Sequence, residues 1–157
     1  MMRTKLLFAT LLASGAALAQ TAVSPLVMKT PNEYRIVSAS GNGKWACGVY
    51  ADYGDERYAF LWNLESGEIE LLNPANPSIA YSVSDDGVVV GQYTDNTYKT
   101  NGASVTLAGY WANHKWNRFE MPDNDVNFSN AYCISPDGHY VSGVVQKGDV
   151  YTGYVWK

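Results

Sequence analysis

One four-residue turn, written three times, constrains this chain more than any other feature. Ser40-Gly41-Asn42-Gly43 returns as Ser84-Asp85-Asp86-Gly87 and again as Ser135-Pro136-Asp137-Gly138, with first serines 44 and 51 residues apart. Each copy leads into a short run that closes on a glycine: Lys44 to Gly48, Val88 to Gly91 and His139 to Gly143. An aromatic cluster follows downstream each time, ending in Trp62, Trp111 or Trp156, spaced by 49 and 45 residues. A unit of this period buries its apolar face only by stacking against a neighbouring copy.

The pieces of the unit are strands. Tyr81-Ser82-Val83-Ser84 and Tyr132-Cys133-Ile134-Ser135 alternate and are rich in aromatic and β-branched residues, the mark of a half-buried strand. Asn42-Gly43, Asp86-Gly87 and Asp137-Gly138 supply the positive-φ chemistry of a tight hairpin. Val88-Val89-Val90 and Tyr140-Val141 then predict a second strand, and the Trp cluster a third. A fourth is predicted at Ile69 to Leu72 and at Arg118 to Met121, entered through Glu65-Ser66-Gly67 and Asn113-His114-Lys115. No helical periodicity follows residue 19. Four short antiparallel strands in roughly 40 to 50 residues make one β-propeller blade.

The fold class expected is therefore all-β: propeller-like repeats of four-stranded antiparallel units, about three in number. The last copy stops before its fourth strand, while Pro25-Leu26-Val27-Met28 near the start matches Leu71-Leu72 and Phe119-Glu120-Met121. The chain then divides into units of 26–62, 69–111 and 118–156, each beginning with strand four. Propellers typically have four to eight blades. Three units leave open a homodimer closing a six-bladed ring, a partial propeller cut from a longer protein, or a different sandwich or barrel.

Ala80 to Gly91 with Gly109-Tyr110-Trp111 resembles the HAF-type extracellular repeat. Ile134-Ser135-Pro136-Asp137-Gly138-His139-Tyr140-Val141 is similar to the hairpins of WD-like and TolB-like propellers. The resemblance implies an exported propeller-like repeat protein and brings no catalytic residues with it.

Residues 1–19 agree with export. Arg3 and Lys5 precede an apolar run from Leu6 to Leu18, which ends in Ala17-Leu18-Ala19. A basic start, a short apolar stretch and a small-residue cleavage site define a secretory signal peptide. The run falls short of the roughly 20 residues that span a bilayer, and no transmembrane segment follows it. Cleavage of 19 from 157 residues leaves a domain of 138, exported to the periplasm or beyond. That domain holds nine Lys and Arg against fifteen Asp and Glu, a net charge of −6. An acidic surface argues against nucleic acid, whose phosphates need cations. Export would permit a disulfide between Cys47 and Cys133, but two cysteines so far apart in sequence do not frame a miniprotein, and two small, partly buried residues are the preferred of the two readings.

In an up-and-down unit, the loops after strands two and four leave from one edge. Loops 51–57, 74–79, 94–107, 122–130 and 146–151 then form a single face. They carry Asp52, Tyr53, Asp55, Glu56, Asp95, Tyr98, Asp123, Asp125, Phe128 and Tyr151. Acids among aromatics on variable loops suit the stacking of a sugar ring or the docking of a protein surface. Trp62, Trp111 and Trp156 recur in every unit and are assigned to packing. Asp123-Asn124-Asp125 opens like a calcium loop, but Phe128 stands where glycine is needed and Ile134 where glutamate is needed. His114 and His139 lie in separate units and make no zinc cluster, so no metal or cofactor is expected. Asn127-Phe128-Ser129 matches the glycosylation triplet. The function expected is non-catalytic binding or scaffolding of a glycan or surface protein. A carbohydrate-active hydrolase or lyase and a fragment without independent function are the alternatives.

Overall fold

The computed structural model describes residues 33–51, 56–100, 102–121 and 125–157. The signal segment at 1–19 and the predicted strand at Pro25 to Met28 lie outside these residues. Among the described residues the protein is all-β, with three antiparallel sheets and no helix. The first sheet holds β1 (Tyr34–Ala39), β2 (Trp45–Ala51), β3 (Arg57–Asn63) and β4 (Ile69–Leu71) in chain order. The second holds β5 (Ser78–Val83), β6 (Val89–Thr100), β7 (Ala103–Ala112) and β8 (Lys115–Arg118), again in order. The third holds β9 (Phe128–Ile134), β10 (Val141–Lys147) and β11 (Val150–Trp156).

The repeated turns set the entry of every sheet in the same way. The N–H of Trp45, Val88 and Tyr140 donates to the hydroxyl of Ser40, Ser84 and Ser135, at 3.0 Å in each case. The serine N–H donates in return to the carbonyl of the same residue, at 2.9, 2.9 and 2.8 Å. Trp45, Val88 and Tyr140 therefore occupy one equivalent position. The three tips also join one another. Asn42 N–H donates to the Asp85 carboxylate at 2.8 Å, and Asp85 N–H donates to the Pro136 carbonyl at 2.8 Å. A Cβ on Gly41 would sit 3.2 Å from Asp85 Oδ1 and 3.5 Å from Pro136 Cβ, so the tips meet at one point.

A second repeated device lies one strand-length away. The register skips Val37 in β1, Tyr81 in β5 and Tyr132 in β9, a β-bulge at the same place in each unit. Opposite the bulges stand Gly48, Gly91 and Gly143. A Cβ at each would lie 1.9 Å from the carbonyl oxygen of Arg35, Ile79 and Asn130 respectively. This close backbone approach explains why every short run after the turn closes on glycine.

Packing between sheets follows the repeat. Cys47, Leu61 and Leu72 meet Ala80, Val83, Val89 and Trp111 between the first and second sheets. Val90 and Ala108 meet Ala131, Ile134 and Val141 between the second and third. Serine at the head of each following inner strand ties the sheets together. Ser78 Oγ accepts from Ala59 N–H at 3.0 Å, and Ser129 Oγ accepts from Ala108 N–H at 2.8 Å. Both hydroxyls are buried and serve otherwise orphaned main-chain donors.

The structure corrects three local expectations. The fourth strand of the second unit is Lys115–Arg118 rather than Arg118 to Met121. Asn113 and His114 both take positive φ, 54° and 58°, so a two-residue turn pairs Ala112 directly with Lys115. Residues 94–107 are mostly hairpin rather than loop, because β6 continues to Thr100 and β7 begins at Ala103. Residues 146–151 likewise form a tight turn, with Gly148 at φ 58° between β10 and β11. Ladder hydrogen bonds belong to the main chain, so polar side chains did not advertise either extension.

Gly91→Ala should cost about 3 kcal/mol or more through forced backbone displacement. Gly153→Ala should change stability by less than about 0.5 kcal/mol, since its Cβ would meet nothing within 4 Å. Urea unfolding of the two variants checks the contrast.

Cys47 and Cys133 are both free, the first buried and the second exposed. Burial pushes the Cys47 thiol up to about 12, against a smaller opposing effect of its hydrogen bond with the Ser38 backbone. A thiol reagent at pH 8 should therefore modify Cys133 alone in the native protein and both residues after denaturation, since the thiolate is the reactive form.

Candidate functional site

The second sheet departs from its neighbours at the far end of its central hairpin. Strands β6 and β7 run 12 and 10 residues, against 7 for each of β2, β3, β10 and β11. The register passes from Asp95 opposite Val105 to Lys99 opposite Ser104, which pushes Asn96, Thr97 and Tyr98 out of the ladder. Asp95 holds this bulge in shape. Its carboxylate accepts from Thr97 N–H at 2.8 Å and from the Thr97 hydroxyl at 2.6 Å. The Tyr93 hydroxyl donates to it at 3.2 Å, and Arg118 Nη1 approaches at 3.4 Å. The residue is buried, at 7% exposure.

Burial opposes ionisation of Asp95. The hydrogen bonds from Thr97 and Tyr93 and the charge of Arg118 outweigh it and hold the carboxyl below its ordinary value. Tyr93 moves the other way, its hydroxyl pushed up by burial and by the adjacent carboxylate. Arg118 in turn stands 4.8 Å from the centre of the Tyr98 ring, within cation–π range. The Tyr93 ring stacks on Trp116 at 5.4 Å with planes 6° apart. These side chains open onto a cleft of about 660 Å³ that also reaches Asn117 and Glu120. The arrangement presents a half-exposed guanidinium, an amide, a hydroxyl and an aromatic face, with the buried Asp95 carboxylate bracing Arg118 and Thr97 from below.

Of the residues singled out in the sequence, Asp95 and Tyr98 come together in this cleft. Glu56 lies elsewhere, bonded to the Tyr58 hydroxyl at the edge of a smaller groove of about 300 Å³. Asp125 pairs with Lys147 at 3.7 Å. Phe128 and Tyr151 lie on strands rather than loops, each paired in register with Gln146 from one of the two strands that flank β10. Asp52, Tyr53, Asp55 and Asp123 fall outside the described residues. Tyr93, Arg118 and Trp116 were not singled out, because each reads as an ordinary strand residue. The spacing Asp95-x-Thr97 was the available signal, since Asp often caps the N–H two residues on. His114 pairs with Glu70 and His139 with Asp137, in separate places. No group of three or more His, Cys, Asp or Glu suited to a metal gathers among the described residues. No helix among them is long and apolar enough to cross a membrane.

No family model matches the chain, and no curated protein matches it significantly. Among solved structures it is similar to the crystal structure of TolB from Acinetobacter baumannii, with a TM-score of 0.55 and 13% sequence identity. The match covers 84% of this chain and 32% of that one, so the chain spans about a third of its structural neighbour. The likeness supports a TolB-like β-propeller fold, of which this chain forms a part.

Asp95→Asn should destabilise the protein by about 1.5 to 3 kcal/mol at pH 7, the usual worth of hydrogen bonds to a charged group. A carboxyl held low in the folded state stabilises above its unfolded pKa, and that contribution disappears as pH falls through the folded pKa. The gap between wild type and Asp95→Asn should therefore begin to narrow as pH falls past the ordinary aspartate value of about 4 and close only below the lower folded value, as read by denaturant unfolding across a pH series.

Proposed function

We propose that this protein is exported and acts as a non-catalytic binding or scaffold protein, taking a polar ligand in the cleft beside β6 and β7. The propeller-like fold supports a binding or scaffold role. The observation that carries the cleft is the braced set of Asp95, Thr97, Arg118 and Tyr98. A preorganised guanidinium beside an aromatic ring suits a glycan hydroxyl cluster over a sugar face, or a polar segment of a surface protein. Preorganisation lowers the ordering cost of binding.

Asp95 suits a bracing role in the cleft better than that of a general acid. A general acid must carry its proton at the working pH, whereas this carboxyl is held ionised by its donors. The export assignment rests on Arg3, Lys5, the apolar run and Ala17-Leu18-Ala19, and on the likeness of the hairpin motifs to HAF-type and WD-like repeats. The mature domain would span residues 20–157, as a monomer or as a homodimer completing a larger ring.

Glycan arrays and pull-downs with the intact mature protein test the proposal. Arg118→Ala and Tyr98→Ala should each weaken a hit by about tenfold or more, a loss of 1.4 kcal/mol per decade, while Glu56→Gln should leave it unchanged. Turnover of a bound glycan would replace the binding role with an enzymatic one. Retention of affinity in both cleft variants would move the site elsewhere. N-terminal sequencing of the exported protein should begin at Gln20, and an intact Met1 would remove the export assignment.

A further inference from the structure

The three units can be compared position by position, and one position differs in a way that leaves space. Trp45, Val88 and Tyr140 are equivalent by their shared bonds to the turn serines. Between the first and second sheets, the Trp45 indole lies over the turn glycine of the next unit. Its ring atoms come within 3.0 to 3.3 Å of where a Cβ on Gly87 would sit. Trp45 packs there against a core that includes Cys47, Leu61, Val83, Val89 and Trp111.

Between the second and third sheets the same position holds Val88. A Cβ on Gly138, the counterpart of Gly87, would find only Ser84 within 4 Å. The space is a groove of about 470 Å³ lined by Val88 and Gly138. Its walls include Val90, Tyr110, Ile134, Val141 and Trp156, which match by register Cys47, Leu61, Val83, Val89 and Trp111 around Trp45. The groove is thus the first interface with its indole left out. Phe119 adds a further ring, stacked on Trp156 at 5.0 Å.

We infer that this groove receives the indole of a tryptophan side chain presented by a partner polypeptide. The chain itself shows what fits: in the equivalent interface the occupant is a tryptophan carried on a main chain. Burying an aromatic ring removes a large apolar area from water, and neighbouring rings add a geometric preference. The rim favours a polypeptide over a free aromatic molecule. Glu120, His139 and Lys157 line the groove and are exposed. Such groups pair with the main-chain N–H and C=O that flank a side chain, which free indole lacks. The groove adjoins the polar cleft across Tyr110, Phe119 and Glu120 but does not depend on what the cleft binds.

The test uses the intact mature protein and N-acetyl-tryptophanamide, followed by NMR shifts of Val88, Val90 and Ile134. Saturable shifts are expected, with N-acetyl-leucinamide and free indole each weaker by about tenfold. Val88→Trp should fill the groove, abolish those shifts and leave the melting temperature equal or higher. If that variant does not fold, Val88→Leu should weaken the amide in proportion to the space it fills. Equal binding of leucinamide, or unchanged binding in the filled variants, would overturn the site. Indole binding as tightly as the amide would overturn the polypeptide occupant. Loss of cleft ligands in Arg118→Ala without loss of amide binding would separate this site from the cleft.

Discussion

Each inner strand of this protein lays a carbonyl oxygen against a glycine of the strand beside it, and the architecture depends on that contact. Arg35, Ile79 and Asn130 supply the oxygens, and Gly48, Gly91 and Gly143 the missing side chains. The approach is possible only because the neighbouring residue, Val37, Tyr81 or Tyr132, drops out of the ladder as a bulge. A bulge bends its strand and increases its twist. Repeated at one position, it bends the inner strand of each sheet at the same point. Tyr81 and Tyr132 then meet edge to face at 5.4 Å between adjacent inner strands.

Two sets of hydrogen bonds turn this common shape into an ordered stack. The turn serines close each hairpin on itself, and Asp85 joins the first tip to the second and the second to the third. Farther along, Ser78 and Ser129 satisfy main-chain donors of the preceding sheet. These contacts are buried or converge at one point, so they tolerate little variation. The far ends of the central hairpins carry no such duty. There the second unit could lengthen by several residues and build the Asp95 bulge without disturbing the stack.

The two candidate sites arise from opposite kinds of departure from the repeat. The polar cleft comes from added residues, with Asp95 spending its lone pairs on Thr97, Tyr93 and Arg118. The apolar groove comes from a subtraction, Val88 where the first unit has Trp45. In a repeat protein the shared residues maintain the stack, and the unshared ones are free to acquire contacts of their own.

Much of the architecture was legible in the sequence, because its signals are local. A Ser-x-x-Gly turn needs a positive φ at its glycine whatever surrounds it, and alternating aromatic and β-branched residues seek one buried face. The strand order and the all-β class followed from three copies of that pattern. Hairpin extension at Asp95 and the register of β8 did not follow, because main-chain pairing is indifferent to the polar residues that hid it. Asp95 and Tyr98 could be marked as candidates, but their convergence with Arg118 from another strand depends on a bulge. The repeat, its turns and the strands they join could be read from the chain alone, since these are set by residues within a few positions of one another. Which carbonyl meets which glycine, where Arg118 reaches Asp95 and where an indole is missing emerge with the folded sheets, because strand pairing and stacking bring together residues far apart in the chain.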